Sequence, residues 1–544
     1  MLGETVKYDG YINPTLPQWL EKIPDKTRGI DIMGLRNPSQ SIGNIFLSGI
    51  TTVTPTIRYL SYRAWMVWIY AQWEQPKSEK SYNSFVRRVE TAFALSNLSI
   101  DRDMPGIIGS RKGKSILDKG KNEVELVDLV GQKAYAIYTN ASQQLGISRE
   151  GSLFIPTLFE ERGETLAINF DKIISGTKFY KKLKRDPKLN ELSISDLEEL
   201  GNIIRVDSIP SSEINILLQC LMPENPIEGH VNECYRIATY SILLTIAKRR
   251  KKVPTQEDFF EFVVSTKTNA NRLLEYVRNG WLMYAIRDML AVVYEKQFKF
   301  IHGIVDSDPN GVDENVLVRK ILSTTDENIE ILKDLGVINS STAFDQLTFN
   351  TLKKKLDSRL HSNEYSENIR RWNIDLNEIT IIDKAKDYDN VSILILIAWL
   401  IIYNRIEYFI TKSQSSELAS LLSRVQGHMS FVDSILPAIN KYLENNTPIN
   451  EVLEYVIHST IEQHFRIAWD RFAIDSYNVA MIYRENNTLR HRLDFIPGQT
   501  QSRLKQAIGW LEQLGLVNKY GITPKGEKIL NSNLNTLKMY KHEF

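Results

Sequence analysis

At 544 residues, 42% of them apolar and 24% charged, the chain can fill real cores beneath an ordinary surface, which excludes disorder over most of its length. A formal net charge of +1 excludes a protein that coats nucleic acid over its whole surface, so any such contact must be local. Two cysteines, Cys220 and Cys234, exclude a secreted disulfide framework and cannot alone supply a four-thiolate zinc site; two buried thiols in a reducing cytosol are expected.

Residues 1–50, rich in Pro, Gly and Asn, read as an irregular arm, and residues 1–18 lack the basic region and apolar core of a signal peptide. Thr54-Pro55 reads as a helix start, a capping hydroxyl with proline in the first turn, and the helix is expected to run to about Gln75. Its aromatic residues Tyr59, Tyr62, Trp65, Trp68, Tyr70 and Trp73 cover most of the circumference, as in a central core helix. A second helix is expected over 81–96, a basic loop over 101–130, a helix over 131–146, and a short strand at 165–170. Ser193, followed by acidic residues, marks another helix start.

Apolar residues spaced by three and four predict helices over 231–249, 255–264 and 271–304, with shorter ones at 314–322, 327–335 and 349–360. The polar, acidic stretch 361–388 is the best internal boundary. Helices are then expected over 390–411, 415–424, 429–444 and 448–472. Two stretches test for membrane spans. Residues 57–73 contain Arg58 and Arg63, and the apolar run 391–403 falls short of the roughly twenty residues a span needs. No membrane contact and a cytoplasmic location are expected.

Residues 479–484 and 489–495 alternate around Glu485-Asn486-Asn487, the pattern of a β-hairpin. After Pro497-Gly498 comes a helix over 500–514, with Leu504, Ala507, Ile508, Leu511 and Leu514 on one face and Gly515 placed to end it. A short strand at 516–517, a turn at 518–521, a return strand at 522–523 and a helix from Pro524 follow. This order resembles the end of bacterial winged-helix domains. The resemblance implies that the helix can enter a DNA major groove while the wing meets phosphates. The candidate DNA contacts are Gln501, Ser502, Arg503, Lys505, Gln506 and Gln513, with Lys519 and Lys525 on the wing. Assembly with a protein through the same module stands as the alternative.

Three motifs fall short of a site. Gly109 to Ser115 suggests a phosphate loop, but Ile108 stands where the first glycine is required; Arg111, Lys112 and Lys114 remain possible phosphate contacts. Asp306, Asp308, Asn310 and Gly311 match the opening of a calcium loop, but Leu317 occupies the position of its bidentate Glu, and Asx-type turns explain the run. His458 and His464, six apart on one helix, point about 120° from each other, so capping or packing is expected rather than a metal. No catalytic residues, metal or cofactor are assigned; an active site assembled from distant segments would escape this reading.

The expected fold is mainly α, a multi-helix core with a C-terminal winged helix-turn-helix-like α+β module. Its expected divisions are an N-terminal helical region with the arm (1–150), a central helical domain (151–360), a helical domain (385–472) and the winged-helix-like module (473–544). Residues 43–73, with Arg58-Tyr-Leu-Ser-Tyr62-Arg-Ala-Trp65, and residues 458–516, with His464-Phe465-Arg466 and the hairpin, resemble a group of large bacterial proteins encoded among anti-phage defence genes. That resemblance implies a defence context, within which the leading expectation is a non-enzymatic subunit, a helical scaffold that meets DNA or a partner such as an ATPase or nuclease. A defence effector enzyme and a helical sensor of a phage protein are the alternatives.

Overall fold

The computed structural model describes residues 31–73, 78–127, 129, 134–151, 155–227, 230–265, 271–357, 376–412, 435–475 and 478–539. The fold is mainly helical. Helix makes up 66% and strands are confined to four small antiparallel sheets among the described residues. No helix among them is long and apolar enough to cross a membrane. The expected helix at 415–424 lies outside the described residues, as does most of the boundary stretch 361–388.

The chain forms two compact units, each drawn from separate segments. Among the described residues, the first combines those of 31–39 with those of 285–500, the second those of 40–284 with those of 501–539. The dividing point near residue 284 falls inside the helix Arg272–Asp306.

In the second unit, helix Tyr59–Gln72 is buried nearly all round, as its aromatic sequence demands. Tyr62 packs on Phe93 and Phe170, with ring centroids 4.6 and 5.3 Å away, and Trp65 joins the same cluster. Arg58 and Arg63 are buried and satisfied. Arg58 forms a two-pronged ion pair with Glu213 at 2.9 and 3.2 Å, while Arg63 donates to Ser142, Ser148 and the carbonyl of Tyr135.

Three local expectations need correction here. The helix begins at Tyr59 rather than at Pro55, because the carbonyls of residues 54–56 accept from other parts of the unit instead of from their own next turn. Residues 165–170 belong to helix Thr165–Ile174, not a strand. Leu166, Ala167, Phe170 and Ile174 line its buried side, a period that a six-residue alternation hides. The basic stretch 101–130 is not all loop, since it holds helix Ser110–Leu117 and strand Glu123–Glu125. Ser193 caps helix Ile194–Ile204 as its sequence suggested, its hydroxyl accepting from the Asp196 amide at 3.2 Å. Both cysteines are buried and form no disulfide, and burial pushes the Cys220 thiol up to about 12.

In the first unit, the apolar run 391–403 lies in helix Ser392–Lys412, with Val391 to Ile402 almost wholly buried. Strands Ile482–Glu485 and Thr488–His491 form the expected hairpin. Asn486 and Asn487, at φ 47° and 67°, are the left-handed pair that such a two-residue turn requires. A third strand, Val312–Asp313, pairs with Thr488–His491, an addition the local pattern did not announce. The calcium-like run is a helix end followed by Asx turns. Asp308 accepts from the Asn310 amide at 2.9 Å, and Asp313 caps helix Glu314–Ser323.

Candidate functional site

Helix Leu504–Gln513 buries Leu504, Ala507, Ile508, Trp510 and Leu511. Arg503 precedes it in a left-handed conformation, φ 65°, which costs a non-glycine residue roughly 1 kcal/mol or more. Its side chain shows what holds it there. The Arg503 guanidinium donates to the carbonyl of Ile50 at 2.6 Å. One and two turns further along the same stripe, the Gln506 amide donates to Thr52 O at 2.8 Å and the Trp510 indole to Thr54 O at 3.0 Å. Gln513 ends the series, donating to Pro55 O at 3.0 Å and accepting from the Ile57 amide at 2.9 Å. Positions 503, 506, 510 and 513 share one face by helical spacing. Together they form a ladder of donors that reads the backbone of residues 50–55.

That segment is also held from another direction. The Tyr138 hydroxyl donates to Thr56 O at 2.6 Å and lies 3.0 Å from the Thr56 amide that donates to it. Ser502 is buried, donating to Gln256 at 3.0 Å. Of the eight candidate DNA contacts, Ser502, Arg503, Gln506 and Gln513 thus spend polar groups inside the unit. Gln501, Lys505 and Lys519 are exposed, and Lys525 is half-buried, its ammonium pushed down by burial.

Gly515, φ 69°, ends the helix as its position predicted. Val517–Asn518 and Gly521–Ile522 form a two-stranded sheet whose turn exposes Lys519 and Tyr520, the ammonium 5.0 Å from the ring centre. Helix Pro524–Met539 follows, and its Glu527 pairs with Lys248.

The second basic candidate has a different setting. Gly109, left-handed at φ 82°, opens helix Ser110–Leu117 directly, with no strand before it. Arg111 and Lys112 are exposed on this helix, while Lys114 is 2.6 Å from Asp103. A cavity of about 670 Å³ in the same unit is lined by Gln144, Phe159, Arg162, His230 and Glu233 among others. Its arginine is turned onto Glu233 and the Leu145 carbonyl, so the charge an anion would need is already neutralised.

The first unit concentrates its polar chemistry in buried histidines and carboxylates. The two histidines of helix Ile449–Asp475 have separate roles, as their angular offset required. His458 sits 3.0 Å from Glu314, which also pairs with Arg484 at 2.7 Å. His464 is fully buried, its ring 4.2 Å from that of Phe298. Its Nδ1–H donates to Ile32 O at 3.1 Å, and its Nε2 accepts from the Met481 amide at 2.9 Å. Burial pushes this imidazole down to about 4. Glu295 moves the other way: burial raises it to about 7, although Arg36 and the Gly498 amide bond to it.

Sequence reasoning missed one group. His302, His491 and Asp494 each bring a ligand-capable atom within 4.8 Å of the others. They come from a helix, a strand and the loop after it, so no local spacing could reveal them. Burial pushes His302 down to about 4.

Comparisons of the chain with protein-family models, curated proteins and solved structures found no match.

Proposed function

We propose that the chain is a non-enzymatic helical subunit of a prokaryotic anti-phage defence assembly, which docks a partner protein through a C-terminal winged-helix-like module spanning residues 504–539. The defence setting rests on the resemblance carried by residues 43–73 and 458–516. The choice of a protein partner over a duplex rests on one observation. The guanidinium and the two amides best suited to base edges, on Arg503, Gln506 and Gln513, are engaged with the backbone of residues 50–57. A helix that has spent these groups internally works as a clamp. The exposed wing, with Lys519 and the largely solvent-facing Tyr520, is the part of the module left to meet a partner, and an exposed tyrosine is a common interface anchor.

Two measurements test this reading. Anisotropy titration of a short labelled duplex over a range of salt is expected to show only weak, sequence-independent binding. With Lys505 and Lys519 as the exposed cations of the set, the slope of log K against log salt should be about −2. Tight, sequence-selective binding that falls at least tenfold in a folded Arg503→Ala variant overturns the clamp. In the second, native mass spectrometry of complexes isolated from infected cells should show a stoichiometric partner that is lost with Tyr520→Ala and Lys519→Glu. Chelator-sensitive turnover of DNA, RNA or nucleotides by the purified protein would instead favour an effector enzyme.

A further inference from the structure

His302 lies on helix Arg272–Asp306 and is fully buried. Its Nε2 is 2.9 Å from the carbonyl oxygen of Leu493. A carbonyl can only accept, so Nε2 carries the hydrogen and Nδ1 is left as a bare lone pair. That Nδ1 is buried and has no hydrogen-bond partner among the described residues. A buried acceptor without a donor is destabilising, so its retention calls for an occupant.

What surrounds His302 indicates which occupant. His491, the last residue of strand Thr488–His491, stands edge-on to it, with ring centroids 4.8 Å apart. The Nε2 of His491 is 3.4 Å from an Asp494 carboxylate oxygen, and its Nδ1 is 3.5 Å from Asp306. Two imidazoles and a carboxylate therefore converge, one of the imidazoles oriented by a backbone carbonyl and the other flanked by a second carboxylate. This is the usual arrangement by which a protein fixes the rings of metal-binding histidines. The Lys299 ammonium, which lies over the Phe495 ring, acts on His302 against a cation, while Asp494 acts in its favour.

We propose that His302, His491 and Asp494 form a binding site for a borderline divalent metal ion of the zinc class, with Asp306 as a positioning residue for His491. The donor set decides the class: two ring nitrogens and one carboxylate suit zinc and its neighbours, whereas calcium and magnesium take oxygen-rich shells. Ligand atoms around a tetrahedral zinc are about 3.3 Å apart, given bonds of roughly 2.0–2.1 Å. His491 and Asp494 are only partly buried, so rotation of these two side chains against the fixed His302 can draw the three atoms together. The same partial exposure gives the ion its entry path and leaves a fourth position for water. The bound ion would fasten helix Arg272–Asp306 to the hairpin within the first unit. This inference does not depend on the partner reading above.

The test uses the chelator-stripped, full-length protein, titrated with zinc in competition with a chromophoric chelator, and with magnesium and calcium as controls. One equivalent of zinc should bind, with an affinity at least a hundredfold above that for either control ion. His491→Ala and Asp494→Ala should each weaken zinc at least tenfold, and Asp306→Asn by about tenfold. Because His491 and Asp494 are partly exposed, their variants should keep the metal-free melting temperature of the parent, which separates lost ligation from lost fold. Failure to bind an equivalent, equal affinity for magnesium or calcium, or zinc binding undiminished by both variants overturns the proposal. In each of those cases an ordered water on the His302 Nδ1 would be the better account.

Discussion

The two units treat buried charge in different ways. The second buries arginines and surrounds them with fixed partners: Arg58 with Glu213, Arg162 with Glu233, Arg63 with hydroxyls and a carbonyl. A guanidinium stays charged at any physiological pH. The first unit also holds buried arginine pairs, Arg405 with Glu378 and Arg36 with Glu295, but adds groups displaced across the acid-to-neutral range, His464 pushed down and Glu295 pushed up. Similar burial therefore gives the second unit fixed arginine pairs, and gives the first a histidine and a glutamate whose burial adds a pH dependence near neutrality and just below it.

The largest expected effect is in the second unit. Glu213→Ala leaves the fully buried Arg58 without its counter-ion and should cost about 3–5 kcal/mol. The loss should be nearly the same from pH 5 to 9, and hydrogen exchange should place it within residues 40–284. A loss confined to low pH would break the comparison.

Next comes His464→Gln, measured without added metal. The folded imidazole, near 4, lies below its ordinary value of about 6.5, so the unfolded chain takes up the proton first. The stability it contributes is present above pH 6.5 and is lost as pH falls toward 4. The parent's advantage over the variant should be greatest at pH 7.5 and shrink by about 3 kcal/mol as pH falls to 4, most of it below pH 6.5. Glu295→Gln should behave in the opposite sense. Because the folded carboxyl titrates near 7 rather than 4.5, the parent's advantage holds below pH 4.5 and diminishes as pH rises through 7. Denaturant midpoints taken at several pH values measure both, and gaps that do not change with pH would remove the distinction between the units.

Smaller still is the ladder. Arg503→Ala combined with Gln513→Ala removes three hydrogen bonds and should cost about 1–3 kcal/mol. Its specific signature is faster exchange of the Ile57 amide, which Gln513 accepts. Lys505→Ala with Lys519→Ala, both exposed, should change stability by no more than about 0.5 kcal/mol. That near-zero result sharpens the difference between members of the 501–525 set that face inward and those that face water.

Much of the helical architecture was legible because it is written locally. The asparagine pair of the hairpin, the Gly515 helix end and the Ser193 cap each depend on residues within a few positions. The errors lie where distant residues decide. Thr54-Pro55 has the chemistry of a helix start, but the backbone there answers to Trp510, Gln513 and Tyr138. Arg503 and Gln506 have the chemistry of base readers, yet a peptide backbone supplies the acceptors. The offset between His458 and His464 was correct as geometry, since it needs only the helical repeat. The convergence of His302, His491 and Asp494 needs the tertiary fold and has no trace in spacing.

The ladder also sets an order of events for a chain emerging from the ribosome. The carbonyls of residues 50–55 wait for donors that lie 453 to 458 positions downstream. At ordinary elongation rates that delay is roughly 20 to 90 s. Throughout it the nascent second unit lacks its closing helix and presents unsatisfied backbone together with the apolar surface that Leu504, Trp510 and Leu511 will later cover. Transiently exposed apolar surface of this kind favours aggregation, which makes that interval the natural point for a chaperone to act.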